Sequence, residues 1–277
     1  LSVRAAPVAA MQAEPAGDGA AARISATGLG SFYWLEPAEE SGRQADAAQS
    51  PAAADFTFNK KVMLTTDYEQ TQSCAGSVEA LTVKYGVNVT YCYFFANIGT
   101  TTFVTHTFND DKLGGWGPEI IYVNPGGQIG FIGENPNAPV TSNVTNIATW
   151  EAKDAAGTSV SRMDWVTVQV LPYLRGYVYI DANGNGFREA DEQAGLSLVT
   201  IQLKQADQVV MQGITTAPSG WYEIFDITPG SYAVSAQIPA GYIPTTPTSV
   251  QVTLATGQSP IINFGVRLQP TNTPTAT

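Results

Sequence analysis

The sequence predicts an all-β protein: two tandem antiparallel β-sandwiches behind an extended N-terminal arm. Three observations carry this. Short runs rich in Val, Ile, Thr, Tyr and Phe recur from Asp55 to Leu268; Gly, Asn, Asp and Pro separate them; and apolar residues never repeat between them at helical spacing. With 277 residues, 44% of them hydrophobic, the chain can fill two cores.

Residues 1–54 are Ala-rich with scattered Pro, Gly and Glu, and build no core of their own. One stretch stands apart. In "ARISATGLGSFYWLE", residues 22–36, Ile24, Ala26, Gly28, Gly30, Phe32 and Trp34 share one parity, the period of a strand with an apolar face. A Pro- and Ala-rich tether follows. The pattern suits a donor strand that adds to a neighbouring subunit, or one that packs on its own first sandwich. The small residues of "VRAAPVAAMQA" read as sequence near a signal-peptide cleavage site.

Residues 55–170 hold the runs "DFTFNKKVML", "SVEALTVKYG", "VNVTYCYFFAN", "TTFVTHTFND", "EIIYV", "GQIGFIG", "NVTNIATWEAK" and "SRMDWVTVQV", a sandwich's worth of strands. The two cysteines, Cys74 and Cys92, lie 18 positions apart with neither His nor CxxC spacing near them. A disulfide in an oxidising compartment is the expectation, closing a loop worth about 3 kcal/mol. A short joint containing Pro172 leads to a second sandwich, residues 173–268, of seven candidate strands. Val199, Ile201 and Leu203 share one face, as do Val250, Val252 and Leu254. Residues 269–277 form a Pro/Thr-rich tail.

The loop "DANGNGFREADE" carries the sharpest chemical signal. Asp181, Asn183 and Asn185 fall at positions one, three and five, Gly186 at six, Phe187 at seven, Glu189 at nine and Glu192 at twelve. A hard cation taking six to eight oxygens needs such a curl: alternate side chains point inward, Gly makes the turn, the seventh residue gives its carbonyl and the twelfth closes the cage. Calcium is the expected cofactor, with Asp191 a rival to Glu192 as closing ligand. Strand-like sequence on both sides excludes the paired helices of a calcium sensor.

Together, "GYVYIDANGNGFREADEQAGLSLVTIQL", "TTAPSGWYEIFDITPGSYAVSAQIPAGYIPTT" and "INFGV" resemble the calcium-binding B-repeat domains, of collagen-adhesin B type, found in serine-aspartate repeat surface adhesins. The resemblance implies an immunoglobulin-like or prealbumin-like sandwich whose calcium stiffens a rod. The first unit's "VNVTYCYFFANIGTTTFVTHTFND", "NVTNIATWEAKDAAG" and "WVTVQV" are similar to the tandem immunoglobulin-like repeat modules of large prokaryotic surface proteins. That likeness implies spacing, adhesion or assembly.

Catalysis is not expected. His106 is the sole histidine, expected at a surface strand position, and the pairs Asp110–Asp111 and Glu39–Glu40 are adjacent, so on a strand they face opposite sides and cannot act on one bond; both pairs read as solvated turn or tether residues. Sandwiches of the adhesin B type can form a Lys-to-Asn crosslink. In the second unit the first strand has no Lys, while in the first unit Lys60 or Lys61 could reach an Asn such as Asn97. Trp34, Trp116, Trp150, Trp165 and Trp221 fall in separate strands and loops, which suits core filling better than a carbohydrate platform.

With 13% charged residues and a net charge of −11, the chain lacks the Lys and Arg clusters that nucleic acid and anionic membranes reward. No apolar run approaches the roughly 20 residues of a bilayer span. The expectation is an extracellular structural protein, a subunit or segment of a prokaryotic cell-surface filament, sheath or stalk that self-associates by strand addition. The alternative is an adhesin or carbohydrate-binding accessory module whose partner is a glycan or surface receptor.

Overall fold

A computed structural model describes residues 53–65, 74–135 and 138–270, together with the backbone of 23–24 and 31–35. It divides into two compact units, residues 1–169 and 170–277, and no helix occurs among the described residues.

The first unit carries β1 (Arg23–Ile24), β2 (Ser31–Leu35), β3 (Phe56–Leu64), β4 (Ala80–Val83), β5 (Val89–Asn97), β6 (Phe103–Asp110), β7 (Gly114–Val123), β8 (Gln128–Glu134), β9 (Val144–Asp154) and β10 (Ser159–Val170). They form two five-stranded sheets, ordered β1-β2-β8-β5-β3 and β4-β10-β9-β6-β7. The inward parity of these strands is aromatic. Phe56 and Phe58 from β3, Tyr93 and Phe95 from β5 and Phe131 from β8 meet Phe103 and Phe108 from β6, Trp116 from β7 and Trp150 from β9, all buried. Rings interleave between the sheets: Tyr93 meets Phe108 edge-on at 4.8 Å, and Phe58 meets Trp150 at 5.7 Å. Edge-to-face contacts add to the area these side chains bury. Opposite parity takes Cys92 to the outer face of its sheet, where Met63, Cys74 and Ile132 form a second small cluster.

The stretch expected as one strand over 22–36 is two. β1 pairs antiparallel with β2, and β2 lies along β8 of its own unit, Trp34 opposite Phe131 and Phe32 opposite Gly133. The segment is thus seated on its own sandwich. Of the named donor positions Ile24, Phe32 and Trp34 fall in these strands, while Ala26, Gly28 and Gly30 lie outside the described residues.

The second unit comprises β11 (Leu174–Ile180), β12 (Thr200–Gln205), β13 (Gln208–Ile214), β14 (Trp221–Ile224), β15 (Gly230–Ala236), β16 (Tyr242–Pro244), β17 (Ser249–Leu254) and β18 (Phe264–Leu268). Its sheets are ordered β14-β11-β18-β16 and β13-β12-β15-β17. The core between them is mainly aliphatic, from Leu174, Val178, Val199, Ile201, Leu203, Ile224, Val234, Leu254 and Val266, with Tyr222, Tyr232 and Phe264 as its aromatic members. Val199, Ile201 and Leu203 face it together, as their shared parity requires. One pairing departs from an antiparallel sandwich: β11 and β18 run parallel, with Val178 opposite Phe264 and Ile180 opposite Val266. β16 is a three-residue strand containing Pro, too short to announce itself by alternation.

Candidate metal centre

The loop that follows β11 is clamped at its base. Ile180 N–H donates to Ala194 O at 2.9 Å and Leu196 N–H to Val178 O at 2.9 Å, so the strand and the returning chain form a short ladder. Asp181, the first loop residue, is tied on its other side through its N–H to Val266 O of β18 at 2.8 Å. The twelve residues between these ties must therefore curl.

The carboxylate of Asp181 is fully buried and organises the curl. Its Oδ1 accepts from Gly184 N–H at 2.7 Å and its Oδ2 from Gly186 N–H at 2.9 Å. Gly186 sits at φ +81°, a left-handed conformation that a side chain would resist. Burial opposes ionisation of Asp181, yet the Thr245 hydroxyl, near it but outside hydrogen-bond geometry, and the N–H groups of Gly186, Gly184 and Asn185 hold its pKa below the ordinary value.

At the far end Glu192 is buried, 6% exposed, and turns back into the loop: Oε1 accepts from Ala182 N–H at 2.9 Å and Oε2 from Glu189 N–H at 3.2 Å. Asp191, its rival, is exposed. Asn183 and Asn185 each cap the backbone two residues on, and their side-chain amides both donate to Glu189, at 2.6 and 3.2 Å. Phe187 is 74% exposed.

The donors fit a hard cation. All are oxygens, and no described Lys or Arg forms an ion pair with buried Asp181 or Glu192. Two buried carboxylates without a countercharge are costly, and a bound cation is the usual remedy. The neighbouring Tyr179 feels the same field. Its hydroxyl is buried without a hydrogen-bond partner, and burial, then the charges of Asp181 and Glu192, push its pKa up to about 12. In side-chain positions alone, no group of three His, Cys, Asp or Glu converges as a metal cage among the described residues. Amide and backbone oxygens would have to complete the shell.

The first unit holds the expected disulfide. Cys74 and Cys92 are bonded, with Cα atoms 6.1 Å apart. Two expectations there are corrected. His106 is not at the surface but fully buried: Trp150 Nε1–H donates to its Nδ1 at 3.1 Å, which leaves Nε2–H to donate to Ile121 O at 3.1 Å. Burial drops its pKa to about 4, against the opposing pull of that backbone bond. Asp110 is not a solvated turn residue either. It is buried at the end of β6, and its Oδ2 lies 2.6 Å from Nζ of Lys60, which is also fully buried.

Asn97, the expected partner of a lysine, is committed to the backbone. Its Nδ2 donates to Thr101 O and Val123 O at 2.9 and 2.8 Å, and its Oδ1 accepts from Gly99 N–H. Asn146 of β9 stands against Lys60 instead, Nζ contacting its Oδ1. Neither Asp110 nor Asn146 was singled out as a partner from sequence. Of the tryptophans, Trp116 and Trp150 fill the core, Trp221 packs beside Tyr177 at 4.7 Å, and Trp165 is 54% exposed.

Residues 174–258 match the family model described as SdrD B-like domain. The serine-aspartate repeat-containing protein D of Staphylococcus aureus strain Newman is 41% identical over 76 residues, 27% of this chain and 6% of the relative. Serine-aspartate repeat-containing protein F of Staphylococcus epidermidis is 38% identical over 71 residues, 26% of this chain and 4% of that protein. The chain spans no more than 6% of the length of either relative. Among solved structures, the full-length major pilin SpaD from Corynebacterium diphtheriae overlaps 78% of this chain and 66% of its own, at 12% identity and a TM-score of 0.37. Residues 174–258 of the second unit thus resemble SdrD B-like domains, the likeness that the loop and its flanking strands predicted.

Proposed function

We propose that this chain is a structural segment of a prokaryotic cell-surface protein, a tandem of sandwiches that spaces or builds an extracellular filament, sheath or stalk. The observation that carries the reading is the B-repeat likeness of residues 174–258, joined to a loop whose two buried carboxylates, Asp181 and Glu192, lack a countercharge. Calcium would be held by Asp181, Asn183, Asn185, the Phe187 carbonyl, Glu189 and Glu192. A cation there ties β11 to the chain entering β12, and its role is rigidity. Titration with calcium, followed by calorimetry and thermal melting, tests the site: heat of binding and a raised transition are expected, and identical melts with calcium and with chelator would overturn it.

Self-association would run through β2. A strand paired along β8 of its own unit would, in this reading, exchange with the same strand of another copy. Deleting residues 1–54 should then abolish fibres seen by electron microscopy of the native protein. Fibres that persist without them would exclude strand exchange. A specific glycan bound by the monomer would instead favour the adhesin reading.

A further inference from the structure

The most unusual group in the first unit is a lysine enclosed between two sheets. Lys60 shares its parity on β3 with Phe56, Phe58 and Val62, so its side chain enters the aromatic core, where it stands 5.0 and 5.2 Å from the ring centroids of Tyr91 and Tyr93. Three groups meet there, each from a different strand and each buried: Lys60 from β3, Asp110 from β6 and Asn146 from β9. Asp110 is held by its other oxygen. Oδ1 accepts the N–H groups of Lys112 and Leu113, both at 2.9 Å, so Oδ2 is left to take Nζ at 2.6 Å and the Tyr93 hydroxyl at 2.7 Å. The amide of Asn146 presents Oδ1 to Nζ, while its Nδ2 finds no partner in hydrogen-bond geometry. Burial pushes the Tyr91 hydroxyl pKa up, and the neighbouring Asn146 amide pulls against it.

An ordinary buried ion pair needs only Lys60 and Asp110. Here the cluster has a nucleophile, a proton carrier and an electrophilic carbonyl in contact, in a site closed to water. We propose that the protein joins Lys60 to Asn146 by a self-made amide bond across its two sheets, with Asp110 carrying the proton. Nζ first passes a proton to Asp110, leaving a neutral amine and a carboxylic acid. Burial favours that neutral pair and lowers the Lys60 pKa, against the opposing charge of Asp110. The amine lone pair then adds to Cγ of Asn146, forming the new C–N bond as the carbonyl electrons move to Oδ1. Asp110 gives its proton to Nδ2 and takes the remaining one from Nζ. As the carbonyl re-forms, the Cγ–Nδ2 bond breaks and ammonia leaves. No oxidant, metal or cofactor enters the balance. The linkage is independent of calcium, which belongs to the other unit.

Intact mass of the full chain, measured after reduction so that the disulfide does not contribute, tests the bond. A mass lighter than the sequence by one ammonia per chain is expected, together with a branched peptide joining the segments of Lys60 and Asn146 in a protease digest. The branched peptide separates this from a succinimide at Asn183–Gly184 or Asn185–Gly186, which loses ammonia without a branch. Asp110→Asn, checked for folding by near-ultraviolet circular dichroism, should keep the full sequence mass. Wild-type protein at the full sequence mass would overturn the proposal whatever the variant does, as would ammonia loss without the branched peptide. A folded Asp110→Asn protein that still forms the branch would remove Asp110 from the mechanism.

Discussion

Between the sheets of the first unit lie stacked and edge-on aromatic rings around a buried Lys60–Asp110 pair; between those of the second lie mostly aliphatic side chains, and its buried carboxylates, Asp181 and Glu192, sit in the loop after β11. Both units are pairs of short-stranded sheets, so the fold does not dictate where polar chemistry goes. The first unit puts it inside, where a desolvated lysine and amide can act on each other. The second puts it at the boundary, where Asp181 and Glu192 remain within reach of an ion from solution. With the proposed amide bond, reinforcement of the first would be complete once the chain has folded; with the proposed calcium, reinforcement of the second would follow the surrounding cation.

The contrast is most sharply broken at Lys60. Lys60→Ala takes away the buried nitrogen that Asp110 Oδ2 holds, an expected loss of about 3–5 kcal/mol. Urea unfolding should show that loss in the first unit and leave the second unit's transition in place. Next in size is the Cys74–Cys92 link on the outer face of the same unit. Replacing both by Ser should cost about 3 kcal/mol by the chain-entropy account, seen as a lower midpoint that reductant no longer shifts.

Protons offer a comparable handle. His106 has a folded pKa depressed to about 4 from an ordinary 6.5, so the unfolded chain binds the proton more readily. Its contribution is fully present above pH 6.5 and is lost as pH falls towards 4, about 3 kcal/mol across that window. His106→Gln should flatten the pH slope of the first unit's stability between those values. The smallest effect is expected in the second unit. Calcium at a hundredfold excess over its Kd should add about 2.7 kcal/mol there, and Asp181→Ala should remove that gain while leaving the first unit unchanged.

Much of this architecture was legible because strand periodicity is local. Runs such as "DFTFNKKVML" and "VNVTYCYFFAN" correspond to β3 and β5 within two residues at either end. Pairing direction is not local, and nothing in the alternation of "RGYVYI" or "INFGV" announces that β11 and β18 run parallel. The buried cluster was missed for a different reason. Read by type, His106 and Asp110 are surface residues; read by parity, both share a side with Phe108, and Asn146 shares one with Ala148, Trp150 and Ala152. A polar residue on the apolar parity of a strand is the signal that was available. Lys60 carried it too, yet the choice among asparagines depended on which of them faced inward, and Asn97 had already been claimed by its own turn.

The parallel pairing of β11 with β18 has a mechanical meaning. The chain enters the second unit at one end of this pair and leaves it at the other, so a pull along the polypeptide drags the two strands past each other lengthwise. Their ties run from Arg175 N–H to Pro260 O at one end to Asp181 N–H to Val266 O at the other, and all are loaded in shear together rather than unzipped one by one. A segment under tension would load this ladder in shear, and its last rung is the backbone of Asp181.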